Sequence, residues 1–310
     1  MIRPIRPLDV ARFVMLGGPS RPNRAFTLDT MAGGPQPKLP LKDAAGASLL
    51  LNRKGVCCVT RTEGASVVGI AAARPRSGPR SWEISHLLVE SDEDAGCSEL
   101  FNELNVGVAQ RAGERVFMRL QAGGPLAETA RHSGFVPCGE ETVFLGPKLS
   151  LDDEEPIALR MSTPSDEYGL FRLYNAATPA SIRLQAGMTF DLWSSSRERV
   201  RGRSQEFIYE EGGHVMAWLR ATRMARVGHL VMMVHPDAET KTAALVAFGS
   251  LELGKSNMMS CVVPAHQQIL QSLLSREGYD VIGEYVTLVR SMLAPALVEK
   301  ARQAVPVSPA

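Results

Sequence analysis

One short pattern occurs twice, and its spacing restricts what the chain can fold into. Gly134-Phe135-Val136-Pro137-Cys138-Gly139-Glu140 and Gly278-Tyr279-Asp280-Val281-Ile282-Gly283-Glu284 both read glycine, aromatic, three residues, glycine, glutamate. They lie 144 residues apart (134 to 278), and each leads into a β-prone run, Thr142–Leu145 and Val286–Val289. A second pair, Ser85-His86-Leu87-Leu88-Val89 and Gly228-His229-Leu230-Val231-Met232, is offset by 143 residues between its histidines. Two anchors with nearly one offset imply duplication of a whole domain, on a scale too long for a solenoid repeat.

The 310-residue length accommodates two domains of ordinary size. The expected boundaries are 1–147 for the first copy, an acidic linker at 148–156, 157–290 for the second copy, and a tail helix within 291–310. A formal charge of +1 gives no whole-molecule field to attract nucleic acid, and no run approaches the ~18 apolar residues of a membrane span. Neither nucleic acid nor membrane is an expected partner. The five cysteines, Cys57, Cys58, Cys97, Cys138 and Cys261, are odd in number and scattered, so buried free thiols in a cytoplasmic protein are expected and no metal site is suggested. The oligomeric state is not legible.

Within each copy the periodicity alternates between strand and helix. Val56–Arg61, Ser66–Ala73 and Trp82–Val89 read as an antiparallel meander, followed by a helix carrying Leu100, Phe101, Leu104 and Val108. A strand (Arg115–Gln121), a helix (Leu126–His132) and the glycine motif with its closing strand complete the first copy. After helical pieces over Ser165–Asn175 and around Ala180–Trp193, Glu206–Glu210, His214–Arg223 and Ala225–Val234 repeat the meander; a helix (Thr242–Leu253), a strand (Asn257–Val263) and a helix (Ala265–Glu277) with Pro264 at its start follow. The predicted class is α/β (α+β), two tandem domains, each a mixed and mostly antiparallel sheet flanked by helices. Gly17–Gly46, crowded with Gly and Pro, reads as a long loop with a helical turn. Arg197, Arg199, Arg201 and Arg203 read as a solvated loop.

A meander, a strand leading into a helix, and a closing helix, Gly-aromatic pair and strand resemble the GNAT superfamily of acyl-CoA-dependent N-acyltransferases. The run Leu273-Leu274-Ser275-Arg276-Glu277-Gly278-Tyr279 is similar to that family's helix ending before its Gly-Phe pair. The resemblance implies acetyl-CoA or another acyl-CoA as donor and a small-molecule or peptide amine as acceptor. It also implies a pantetheine arm between the fourth and fifth strands and a pyrophosphate on the N-terminus of the next helix. The family's phosphate loop there is Gln or Arg, two residues, Gly, one residue, Gly or Ala.

Neither copy keeps that loop. The first has Asp92-Glu93-Asp94-Ala95-Gly96-Cys97-Ser98; the second has Glu239-Thr240-Lys241-Thr242-Ala243-Ala244 after Val234-His235-Pro236-Asp237. A carboxylate about 6 Å from a phosphate charge costs roughly 2–3 kcal/mol at an effective dielectric near 20. Any donor site is therefore expected in the second copy, at Val234, His235, Thr240, Lys241, Thr242 and Ala244. The family's general-acid tyrosine is replaced by Ala130 and Leu274, which leaves His229 and Glu83, with His86, as candidate bases near the fourth strand. The competing reading is a catalytically degenerate tandem that serves as a ligand-binding or scaffold module.

Overall fold

A computed structural model of the chain describes residues 1–6, 9, 22–31, 55–64, 66–89, 95–149, 157–200, 203–223 and 227–292. The first half runs β1 (Ile2–Pro4), α1 (Leu28–Met31), β2 (Cys57–Glu63), β3 (Ser66–Pro75), β4 (Ser81–Val89), α2 (Ala95–Ala109), β5 (Arg115–Gln121), α3 (Pro125–His132) and β6 (Val136–Pro147). The second half opens with β7 (Arg160–Met161), α4 (Glu167–Ala177), α5 (Ala180–Ala186) and α6 (Phe190–Ser196). It continues with β8 (Arg203–Glu211), β9 (His214–Arg223), β10 (Val227–Val234), α7 (Thr242–Glu252), β11 (Met258–Pro264), α8 (Gln268–Arg276) and β12 (Asp280–Ser291).

All twelve described strands form one sheet in the order β1-β2-β3-β4-β5-β12-β6-β11-β10-β9-β8-β7. Every neighbouring pair is antiparallel except β4–β5 and β10–β11, which are parallel. The two closing strands are exchanged between the halves. β12 pairs with β5 of the first half, β6 pairs with β11 of the second, and β6 and β12 pair with each other at the centre. Val286 and Leu288 of β12 thus complete the core beneath α2 and α3, among Phe101, Met118 and Phe135. Phe144 of β6 completes the other core, among Leu230, Leu245 and Leu274. Each half buries its apolar face only with a strand borrowed from the other.

The twin glycines of the motif have one cause. Gly134 and Gly278 adopt φ of 82° and 74° directly after α3 and α8, the left-handed conformation that ends a helix without a Cβ penalty. The aromatic residue that follows, Phe135 or Tyr279, is buried in its core. A third matched pair lies at the outer edges. Arg3 forks onto Asp9 and the Arg6 N–H caps the same carboxylate, while Arg160 forks onto Asp166 and the Thr163 N–H caps that one. Both stretches read Arg, three residues, Pro, one residue, Asp.

The histidine anchor needs a correction in register. His86 and His229 do lie on corresponding strands, β4 and β10. Thr287 faces Arg119 as Val143 faces Val262, however, which equates the third residues of β5 and β11, Phe117 and Ser260. Their parallel neighbours are Glu83 and His229. Glu83, not His86, is the counterpart of His229, and a bulge at Ser85 in β4 shifts the two strands by a further residue. The stretch expected as one helix over 180–193 is two, broken at Gly187, and Thr189 caps the second by accepting the Leu192 N–H. Pro264 ends β11 rather than starting a helix. The expected tail helix beyond Met292 and most of the linker and of Gly17–Gly46 lie outside the described residues. Among the described residues no helix is long and apolar enough to cross a membrane, and the five cysteines carry no disulfide.

Candidate active site

Parallel strands that stop pairing part-way along leave a gap lined by backbone polar groups, and this sheet has two. β4 and β5 pair only over Ser81–Glu83, and β10 and β11 over Val227–Val231. Beyond those points the strands part.

The chain itself fills the first gap. Leu87 donates its N–H to Asn23 Oδ1 at 2.8 Å, Asn23 Nδ2 donates to Ser85 O at 3.0 Å, and Arg24 N donates to Leu87 O at 2.9 Å. On the other side Phe26 N donates to Arg119 O of β5 at 2.9 Å. Asn23–Phe26 therefore lies between the parted strands and satisfies both, with Ala25 1% exposed. Buried strand edges require such partners, and here they are intramolecular.

Among the described residues no such segment enters the second gap. His235 N bonds Met216 O on β9, so by strand alternation Met232 and Val234 turn their backbone groups toward the gap. The Met232 carbonyl accepts from Gln267 Nε2 at 3.2 Å. Two cavities flank this point. One, of about 220 Å³, is bounded by Thr178, Val234, Pro236, Glu239 and Thr242 near the start of α7. The other, of about 290 Å³, lies at the centre of the molecule between the sheet and α4, α5 and α6. Thr178, His266 and Gln267 border both. His266 Nδ1 and Gln267 Oε1 are buried without a hydrogen-bond partner. Burial holds the His266 imidazole below its ordinary pKa, against the pull of Glu141, so it is neutral at pH 7. The signal that points to this pair is a polar Ala-His-Gln stretch just past the C-terminal end of a parallel strand, where crevices in open sheets take ligands.

The central chamber is walled by Phe117, Tyr174, Trp193, Trp218, Val231 and Met233, with an ionic lattice behind. Arg119 forks onto Glu141 and Glu198; Arg76 reaches Glu83 and Glu198; Arg74 joins Glu83 to Asp29; Glu206 receives Arg197 and Arg220. Burial alone would raise the Glu198 pKa, but Arg119 and Arg76 bring it down to about 2. Burial pushes the Tyr174 phenol up to about 12, so it presents an O–H donor to the chamber. The stretch expected as a solvated arginine loop is, at Arg197–Arg199, a seam between the halves: Arg199 Nη2 donates to Ser77 O and Glu198 enters the lattice.

The residues singled out in the sequence fall in different places. His229 is fully buried, neither ring nitrogen has a hydrogen-bond partner, and burial with the nearby Arg220 lowers its pKa to about 4. It borders neither cavity. Glu83 is held between Arg74 and Arg76, and half-buried His86 accepts or donates through Nδ1 with Ser85. Val234 and Thr242 do line the smaller cavity, but the Thr242 hydroxyl donates to Glu239 O at 2.7 Å. His235 Nδ1 accepts the Asp237 N–H, a group that would otherwise face an anion. Thr240 is exposed, Lys241 half-buried and Ala244 buried inside α7. Pro236–Lys241 forms a tight 3-10 turn rather than an open loop, with Asp237 and Glu239 exposed on it. Among the described residues no cluster of His, Cys, Asp and Glu is arranged to hold a metal.

No protein-family model matches the sequence, and no curated protein is detectably similar to it. Solved structures are. The chain superposes on a GCN5-related N-acetyltransferase from Sphaerobacter thermophilus with a TM-score of 0.54 and 16% identity, over 94% of this chain and 95% of that one. The fold is GNAT, in tandem. A putative acetyltransferase from Pyrococcus horikoshii superposes with a TM-score of 0.51 and 13% identity, over 95% and 90% of the two chains. The sequence resemblance expects a donor's pantetheine arm at the parted strands, and the two halves differ in what that place offers. The second gap, with strand backbone turned into it and cavities at either end, fits an extended amide-bearing arm. The start of α7 does not supply a phosphate cradle. Its hydroxyl and one N–H are spent internally, and two carboxylates stand at the approach.

Proposed function

We propose that the protein is an acyl-CoA-dependent N-acyltransferase, with the donor arm in the gap between β10 and β11 and the acceptor amine in the central chamber. One observation carries this reading: no described segment fills the second gap, and the two cavities beside it share His266 and Gln267 in their walls, whereas Asn23–Phe26 fills the first. One acyl thioester per chain is therefore expected. Met232 and Val234 would hold the arm through backbone bonds, and Gln267 would exchange its bond to Met232 O for one to the arm. A thioester supplies an activated acyl group; the chain supplies position and a proton acceptor. An amine nitrogen becomes acidic as its lone pair forms the new C–N bond. Neutral His266, with an unengaged Nδ1 at the junction, takes that proton as the C–S bond breaks, and then returns it to the departing thiolate. Holding two reactants in line contributes most of what such a site needs. Glu83 and His229 are structural in this reading.

The test is calorimetric titration with acetyl-CoA and mass-spectrometric detection of acetylated amines. One site per chain is expected, and His266→Ala should lower kcat by a factor of about 10² or more, the usual contribution of a general base. Its donor affinity should stay within about threefold, since a base acts on the transition state. Acetyl-pantetheine should bind within about tenfold of acetyl-CoA, because α7 offers the nucleotide little. No binding of any acyl-CoA at millimolar concentration would return the scaffold reading.

A further inference from the structure

The chamber's wall has a chemistry that selects its occupant. Its charged residues are all matched: Arg76 with Glu83 and Glu198, Arg197 and Arg220 with Glu206, Glu141 and Glu198 with Arg119. The guanidiniums also lie over the rings that line the chamber, Arg76 at 4.0 Å from the centroid of Phe117, Arg197 at 5.5 Å from Trp193 and Arg220 at 5.2 Å from Trp218. Among the described lining residues no charge is left over to compensate one brought in by a ligand. A phosphate, a carboxylate or a persistent ammonium would be buried unpaired or would have to break an existing pair, so the reacting amine is held as its free base and a second amine adds a second deprotonation cost.

Apart from Thr178, Ser196, His266 and Gln267, the rest of the described lining is aromatic or aliphatic, including Val231, Met233, Val262 and Leu170. Aromatic rings also lead outward. Two rings on α6, Trp193 and Phe190, are 6.1 Å apart, and Phe190 is 6.3 Å from Tyr168, which is 65% exposed. At about 290 Å³ the chamber sits at the lower end of ligand pockets, about 300–1,000 Å³.

We infer that the acceptor is a monoamine on an uncharged aromatic or branched apolar body of one or two rings, such as an arylalkylamine. The inference rests on the chamber being the acceptor site proposed above. It also gives the first half a role: Arg76, Phe117 and Leu28, which continues the chain from the gap-filling segment, form part of the chamber wall.

The experiment follows tryptophan emission, since Trp193 and Trp218 line the chamber while Trp82 lies in the first core. Purified full-length protein is titrated with 2-phenylethylamine, 3-phenylpropylamine, spermidine and phosphoethanolamine, with and without CoA, and the same amines are offered with acetyl-CoA. The phenylalkylamines should saturate the emission change and bind at least tenfold more tightly than the two multiply charged amines. Trp193→Phe should reduce the amplitude, and Ala186→Phe, which fills the chamber, should weaken 2-phenylethylamine at least tenfold. The comparison of amines on the unaltered protein stands even where a variant fails to fold. Preferential binding or acetylation of spermidine or phosphoethanolamine, or no response to any phenylalkylamine, overturns the inference. Binding of phenylalkylamines without any response to acyl-CoA leaves the chamber's selectivity standing and removes the transferase reading instead.

Discussion

Asn23→Leu tests whether the first gap is closed by the chain or merely crossed by it. Asn23 is 9% exposed, and its side chain accepts from Leu87 N at 2.8 Å and Ala25 N at 3.1 Å and donates to Ser85 O at 3.0 Å. Leucine keeps the branched shape and makes none of these bonds. A buried group left without its partner costs about 1–3 kcal/mol. Counting Leu87 N and Ser85 O as the groups least able to find water, the loss is roughly 2–6 kcal/mol. For a chain of this length 1 kcal/mol moves the midpoint by about 2 °C, so a fall of roughly 4–12 °C is expected. Differential scanning calorimetry reads the shift, and hydrogen exchange of the Leu87 amide reads its place. A midpoint within about 1 °C of the parent, with Leu87 still protected, would refute the argument that this segment supplies the partners of the parted strands.

Two further outcomes follow from buried groups. His229 takes up a proton at about pH 4 in the folded protein against an ordinary value near 6.5, so the unfolded chain binds more protons between those values. Its contribution to stability is therefore present above pH 6.5 and is lost as pH falls toward 4, by about 3 kcal/mol in all. His229→Leu should flatten urea-derived stability across that window while leaving acyl transfer intact; loss of turnover with unchanged folding would make His229 the base. Arg115, 5% exposed, donates to Ala186 O at the end of α5 and to Leu192 O and Ser196 Oγ of α6. Arg115→Met should cost roughly 2–4 kcal/mol by stranding those acceptors, and limited proteolysis should then cut within 180–196; equal resistance to cleavage would deny it that clamping role.

The repeat was legible because helix ends are local: a left-handed glycine and the aromatic after it appear in the sequence wherever such a helix stops. The edge repeat of Arg, Pro and Asp was equally local, but its offset of 157 residues (3 to 160) disagrees with 144, which hid it. The histidine match had a plausible offset and the wrong register, since strand position is set by ladders to partners and by a bulge that no short pattern announces. His266 escaped because Pro264 reads as a helix start, which moves the next residues onto a helix instead of into a crevice. The gap-filling Asn23 was least accessible of all. It meets Leu87 across 64 positions of chain, and a Gly/Pro-rich neighbourhood reads as loop whatever it touches.

The strand exchange has a consequence for how the protein comes into being. On the ribosome the first half emerges complete in its own sequence yet lacks β12, so β5 must wait with an open edge until the chain has grown to Ser291, the partner of Arg115. At about 5–20 residues per second that interval is of order ten seconds or more, during which the edge is a template for any other nascent strand. Neither half is then a unit that a gene could lose, duplicate or trade alone. Inheritance acts on the pair, which allows one copy to surrender its gap to its own chain while the other keeps it open.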